Sequence, residues 1–165
     1  MAGIIECGLT SSLIRMSNPK PALQSADRRL AHVERMAIRW GDMDAMGHVN
    51  NTVYFRFMEQ ARISWFNALV PEREAWTSIG IVIASASCNY KRAMTYPGTC
   101  EIRLYVGAPG GASVPTSYDL FVDDDPVPYA DGAAVVVFVD MATQKSIRIP
   151  PAIRERLTNP PGACA

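Results

Sequence analysis

Two carboxylates, one imidazole and two side-chain amides crowd into a short stretch of this chain: Asp42, Asp44, His48, Asn50 and Asn51, with Gly47 among them. The surrounding segment, Arg39 to Leu69, reads R-W-G-D-M-D-A-M-G-H-V-N-N-T-V-Y-F-R-F-M-E-Q-A-R-I-S-W-F-N-A-L. Carboxylate and imidazole groups are the ones that exchange protons near neutral pH. Asparagine at the start of a helix accepts from the first unpaired N–H groups, and capping alone accounts for one of Asn50 and Asn51. Asp42 reads as a structural group bonding loop amides, and Gly47 as the residue that permits a backbone conformation closed to others. Asp44 is either a turn or capping residue or a reactive carboxylate.

The element that must position this loop is the helix that follows it. Tyr54, Phe57, Met58, Ala61, Trp65 and Leu69 recur at helical spacing as one apolar stripe, while Arg56, Gln60, Arg62 and Asn67 fall largely elsewhere on the cylinder. Phe55 and Phe66 lie off the stripe, so more than one side of the helix is covered. Glu59 and Arg62, one turn apart, read as an ion pair or a packing pair. Ahead of the loop, Met36, Ile38 and Trp40 alternate with Arg35, Ala37 and Arg39, the pattern of a strand with one buried face.

Downstream, Val70-Pro71 and Glu72-Arg73-Glu74 break the helix, with room for a further helical turn before Ile79. Ile79 to Tyr90 is β-branched at its start and small in its middle, and it reads as a strand buried on both faces. Pro97-Gly98 signals a turn. Cys100, Ile102, Leu104 and Val106 form one alternating strand, and Tyr118, Leu120 and Val122 another. Asp123-Asp124-Asp125-Pro126 reads as a solvated turn, because consecutive aspartates rarely converge on one ion. Ala133 to Val139 reads as a buried strand, Ser146 to Ile149 as a last strand, and Pro150-Pro151 as the opening of a short helix through Leu157. One strand, one long helix, then four or five strands joined by short turns indicate an α+β domain with a mostly antiparallel sheet packed on one helix.

The chain's 165 residues, 48 % of them hydrophobic, fit a single domain with a substantial core. Its 16 basic and 16 acidic residues give zero net charge, which removes the electrostatic reason to expect nucleic acid or an anionic membrane as partner. Cys7, Cys88, Cys100 and Cys164 are scattered without a C-x-x-C pair, so neither a zinc site nor a disulfide framework is indicated, and free thiols in a reducing compartment are expected. No apolar run approaches the roughly 20 residues of a membrane span, and no signal-peptide pattern is present. A cytoplasmic protein without metal or cofactor is the expectation.

The order D-M-D-A-M-G-H-V-N-N-T-V-Y followed by E-Q-A-R resembles the active-site loop and central helix of the hotdog-fold acyl-CoA thioesterases, the group that includes 4-hydroxybenzoyl-CoA thioesterase. Tyr90 with Pro97, the run A-D-G-A-A-V-V-V-F-V-D from Ala130 to Asp140, and I-P-P-A-I-R-E-R-L from Ile149 to Leu157 agree with it. The resemblance implies a hotdog fold, with five to six strands packed on one long central helix. It places a thioesterase domain at 32–157; the extension at 1–31, with two prolines and little periodicity, matches nothing and reads as poorly structured or loosely docked, and the Pro- and Gly-bearing tail at 158–165 as frayed.

The same resemblance implies roles. The family places a catalytic carboxylate at the position of Asp44, as nucleophile or as base for water. Backbone N–H groups at the helix start near Asn50 and Asn51 would receive the oxyanion. His48 either polarises the thioester carbonyl and orients water, or hydrogen-bonds within the loop. Gly47, Asn50 and Tyr54 join the substrate-binding set, Tyr54 as a core residue whose hydroxyl faces the acyl pocket. Lys91 and Arg92, by their place after a strand rather than by the resemblance, are either solvated strand-end residues or candidates for the phosphates of a nucleotide-bearing thiol carrier such as acyl-CoA. Where 4-hydroxybenzoyl-CoA enzymes carry aromatic residues, this chain has its two asparagines, so the backbone role carries over and the side-chain role does not. Hotdog relatives assemble as homodimers or homotetramers with interface active sites, and the same is expected here.

Three further readings compete. D-M-D-A-M-G is similar to the first half of a calcium-binding EF-hand loop, but Met46 replaces an oxygen ligand and Val53 stands where the closing glutamate belongs. A hotdog-fold enoyl-CoA hydratase or dehydratase would use His48 with Asp44, and a non-catalytic acyl-thioester-binding module would use neither.

Overall fold

The computed structural model describes residues 28–72 and 76–159. The expected N-terminal extension falls almost wholly outside the described residues, as do the end of the expected tail, the helical turn expected after Val70, Cys7 and Cys164. The elements in chain order are β1 (Arg29–Ile38), α1 (Asn51–Leu69), β2 (Ile79–Tyr90), β3 (Gly98–Val106), β4 (Ser113–Val122), β5 (Ala130–Asp140) and α2 (Pro151–Thr158). All strand pairs are antiparallel, and the five strands form one sheet in the order β1-β3-β4-β5-β2. This is the hotdog arrangement, a sheet laid along a central helix.

The alternation in β3 and β4 sets which face of the sheet meets α1. Cys100, Ile102 and Leu104 are wholly buried, as are Tyr118 and Leu120 opposite them. Every residue of the helical stripe from Tyr54 to Leu69 is buried, and each large side chain so removed from water contributes about 1.5–3 kcal/mol. Packing, more than helix propensity, therefore holds α1. Phe66 is buried too, against Trp76 and Phe138 at ring-centroid distances of 5.7 and 6.2 Å, whereas Phe55 stays on the surface. α2 closes the far end: Ile153 and Leu157 enter the core, and Arg156 donates to Leu69 O at 3.0 Å while pairing with Glu72. A cation placed there meets the negative end of α1 and its orphan carbonyls. The Arg156 guanidinium in turn pulls the Glu72 carboxyl down to about 2.

Four expectations are corrected. β1 ends at Ile38, and Trp40 opens a single 3₁₀ turn instead of continuing the alternation, so its ring stands 78 % exposed. β2 lies at the sheet edge, hydrogen-bonded only to β5, and no residue of it is fully buried; the composition of a doubly covered strand belongs here to an open edge with Val82 and Ile83 exposed. Ser146 to Ile149 makes one bridge, Ser146 to Val139, and not a sixth strand. Glu59 pairs with Arg56 at 2.7 Å, while Arg62 turns inward to the Tyr118 hydroxyl at 3.2 Å. The turn Asp123–Asp125 behaves as expected: Asp123 takes a positive φ of 52° and Asp125 pairs with Arg92.

Candidate active site

The loop between β1 and α1 is built by its own carboxylates. Asp42 is 6 % exposed; its Oδ2 accepts from the Arg39 N–H at 2.8 Å, and its carbonyl accepts from the Asn50 N–H at 2.9 Å, so it fixes both ends of the loop. Between them the chain closes tightly, with Asp44 N–H on His48 O at 2.7 Å and Gly47 N–H on Asp44 O at 3.1 Å. Gly47 has φ +76° and open space where a Cβ would stand, so the glycine serves the backbone turn and not a close approach. Asp44 Oδ1 accepts from the Met46 N–H at 2.8 Å and the His48 N–H at 3.3 Å. Oδ2 has no hydrogen-bond partner among the described residues.

The helix start is anchored by a second segment. Val49 donates to Met94 O at 2.9 Å, and the Met94 N–H donates to the Tyr54 hydroxyl at 3.3 Å. Asn50 is the N-cap: its Oδ1 accepts from the Thr52 N–H at 2.9 Å and from the Thr52 hydroxyl at 2.7 Å. Val53 N–H is bonded to Asn50 O, which leaves the Asn51 N–H as the helix-start donor without an acceptor among the described residues. Such a donor, at the positive end of a 19-residue helix, favours negative charge.

Asp44, His48, Asn51 and Tyr54 from the loop and helix meet Tyr90, Lys91, Arg92 and Ala93 in one cleft of about 320 Å³. Tyr90 was not singled out as a site residue from sequence. It ends β2, its ring stands edge-on to Tyr54 at 5.0 Å and 87°, and its hydroxyl donates to Asn51 O at 3.1 Å. Its sequence signal is its place at a strand end within the motif it shares with Pro97, and burial raises its phenol above the usual range, as it does for Tyr54. Met94, wholly buried, gives no sequence signal at all.

Lys91 and Arg92 stand on the cleft wall, each about half exposed and each already paired: Lys91 with Asp131 at 2.6 Å, Arg92 with Asp125 at 2.7 Å and over the Tyr129 ring at 4.1 Å. Burial pushes the Asp131 carboxyl up, but its hydrogen bonds from Lys91 and Asn89 outweigh this and hold it below the ordinary range. Gly47 and Asn50 act on the cleft through backbone and cap and are not among its lining residues. Among the described residues, no three His, Cys, Asp or Glu side chains are grouped as metal ligands are. No helix in those residues is long and apolar enough to cross a membrane.

Residues 38–157 match the family model of the thioesterase-like superfamily. The chain belongs to that superfamily. The long-chain acyl-CoA thioesterase FadM of Escherichia coli is 25 % identical over 126 residues, which cover 74 % of this chain and 94 % of FadM. The structure of the PA2801 protein of Pseudomonas aeruginosa superposes with a TM-score of 0.71 at 35 % identity, covering 76 % of this chain and 97 % of that one. A Thermus thermophilus thioesterase whose structure holds coenzyme A and zinc superposes at 0.68 and 26 % identity, covering 78 % and 92 %. Thioester hydrolysis is the activity this superfamily carries, and the chain is an enzyme of that class. The matched span contains both the Asp44 loop and the Tyr90–Arg92 wall.

Proposed function

We propose that the protein hydrolyses an acyl-CoA thioester to the free acid and CoA, with Asp44 as nucleophile or general base. The observation that carries this is the meeting, in one cleft, of a carboxylate oxygen and a helix-start N–H that have no hydrogen-bond partner among the described residues. The Asn51 N–H is the oxyanion donor in this reading. Loss of one such donor typically costs about 2.7–4 kcal/mol of transition-state stabilisation. Asp44 Oδ1 holds the loop, so the second oxygen is the one directed to chemistry. Asn50 supports the site as cap, Gly47 as turn, and Tyr54 through its bond to Met94.

Tyr90 positions the helix start through Asn51 O. Lys91 and Arg92 meet the CoA phosphates, sharing their charge with Asp131 and Asp125. His48 is an exposed loop residue whose N–H, not its ring, bonds Asp44. That arrangement favours hydrolysis over the hydratase alternative, which needs the imidazole and the carboxylate to act as a pair.

The same reading makes the working unit a homodimer, or a homotetramer of such dimers. Its support is β2, which leaves one edge unpaired and shows Val82 at 43 % and Ile83 at 38 % exposure. Light scattering at working concentration gives at least twice the mass of one chain; a monomer counts against it. Thiol release from a panel of acyl-CoAs tests the activity. Hydrolysis lost in Asp44→Asn supports the proposal, binding without release points to a binding module, and hydration of an enoyl-CoA points to the hydratase.

A further inference from the structure

A second cavity, of about 230 Å³, opens farther along α1, with Phe55, Met58, Arg62, Tyr118 and the small residues Ala86 and Ala133 among its lining. Arg62 is only 9 % exposed, yet among the described residues it has no carboxylate partner; its one hydrogen bond there runs to the Tyr118 hydroxyl at 3.2 Å. The proton order of that chain is fixed. The Thr116 hydroxyl donates to Ala134 O at 3.1 Å, so Tyr118 donates to Thr116 across 3.0 Å and accepts from Arg62. A guanidinium has five N–H groups, and those not spent on Tyr118 are not sealed from solvent, so an anion entering the cavity meets donors that the protein itself leaves available. Among the described residues, the other ionic groups lining the cavity are Arg56 and Glu59, which pair with each other at 2.7 Å, so Arg62 is the charge there without an ionic partner.

Asn51, Phe55, Met58 and Arg62 follow one another at spacings of four, three and four, which puts them on one face of α1. The two cavities share no lining residue, so a ligand that joins them has to lie along this face of α1, from a carbonyl at Asn51 past the apolar Phe55 and Met58 to Arg62, about 16 Å along the helix axis. We propose that Arg62, held by Tyr118 and Thr116, is a specificity-determining residue that receives a carboxylate at the far end of the acyl group, so that ω-carboxyacyl thioesters are the favoured substrates. The proposal rests on the Asp44 cleft being the hydrolytic site.

The test compares kcat/KM for pairs of CoA thioesters of equal length, saturated acyl against ω-carboxyacyl, from short to long chains. Wild type prefers the ω-carboxyacyl member at one chain length by about tenfold or more, the ratio a single charge-assisted hydrogen bond sustains. Arg62→Met removes the preference and Arg62→Lys restores part of it. Tyr118→Phe, which deletes only the aligning hydroxyl, reduces it, and serves with Arg62→Lys should Arg62→Met fail to fold. A readout without turnover accompanies these: free dodecanedioate raises the melting temperature of wild type more than dodecanoate does, and Arg62→Met abolishes the difference.

No preference at any length overturns the proposal, as does a preference that survives in Arg62→Met. If Arg62→Met dissociates an oligomer and leaves substrate preference unaltered, the guanidinium serves a second copy of the chain and the proposal also falls. Should wild type release thiol from no acyl-CoA, the hydrolase reading fails separately, and the dodecanedioate shift alone decides the carboxylate subsite.

Discussion

Asp44 has a structural job in the loop and, in the proposed mechanism, a chemical one, and two substitutions separate them. Oδ1 holds the loop through the Met46 and His48 amides, while Oδ2 has no hydrogen-bond partner among the described residues. Asp44→Asn keeps an acceptor for the amides and removes the base; Asp44→Ala removes both. If the carboxylate is the general base or nucleophile, each variant loses about 10²–10⁴ in kcat, or about 2.7–5.4 kcal/mol. The stabilities diverge. Met46 and His48 are exposed, so their amides turn to water in the alanine variant, and the loss is about 1 kcal/mol for each bond, below the value for a buried charged acceptor. At about 2–4 °C per kcal/mol for a domain of this size, Asp44→Ala melts lower by roughly 4–8 °C.

A neutral acceptor gives about half the strength of a charged one, so Asp44→Asn melts lower by roughly half as much. The assay is thiol release followed with a chromogenic disulfide, alongside thermal unfolding of the same samples. An asparagine variant that keeps kcat within about threefold of wild type refutes the chemistry. Equal inactivation of both variants with no difference in melting refutes the structural half.

Gly132→Ala puts a Cβ against the Met58 sulfur and 3.0 Å from Ser87 O, where β2 and β5 pair. Met58 lines the second cavity and its thioether can turn into it, so the strain falls on the Ser87 carbonyl, and chemical denaturation shows a loss of about 1 kcal/mol; an unchanged midpoint refutes the close packing. Burial pushes the Cys100 thiol up to about 12, and the Cys88 thiol to about 11 despite its bond to Tyr90. Iodoacetamide at pH 8 therefore leaves Cys100 unmodified in the folded protein and labels it in urea, as peptide mass mapping reads out, and native labelling at the rate of a free cysteine contradicts this. Glu101 is held below its ordinary 4.5 by Arg103 and then Arg35. A depressed carboxylate contributes stability that is full above the ordinary value and lost as pH falls through the folded one. Wild type should then lose melting temperature more steeply than Glu101→Gln as pH drops below about 4.5, and parallel curves would falsify the pairing.

The sequence by itself determined the parts whose cause is local or periodic. The helical spacing of Tyr54 to Leu69 and the alternation in Cys100–Val106 and Tyr118–Val122 each select one face for burial, and the structure buries those faces. Asn50 as cap and Gly47 at φ +76° follow from what their own backbones require. The tertiary structure decided what depends on neighbours distant in the chain. Ile79–Tyr90 has the composition of an interior strand, but strand order makes it an edge. Arg62 has the same chemistry on the outside of a helix as beneath it, and only the Tyr118 hydroxyl, 56 residues away, draws it in. Tyr90 and Met94 reach the helix start because β2 returns alongside it. Periodicity records which way a side chain faces along its own element; which partner waits there is set by the packing of one element on another.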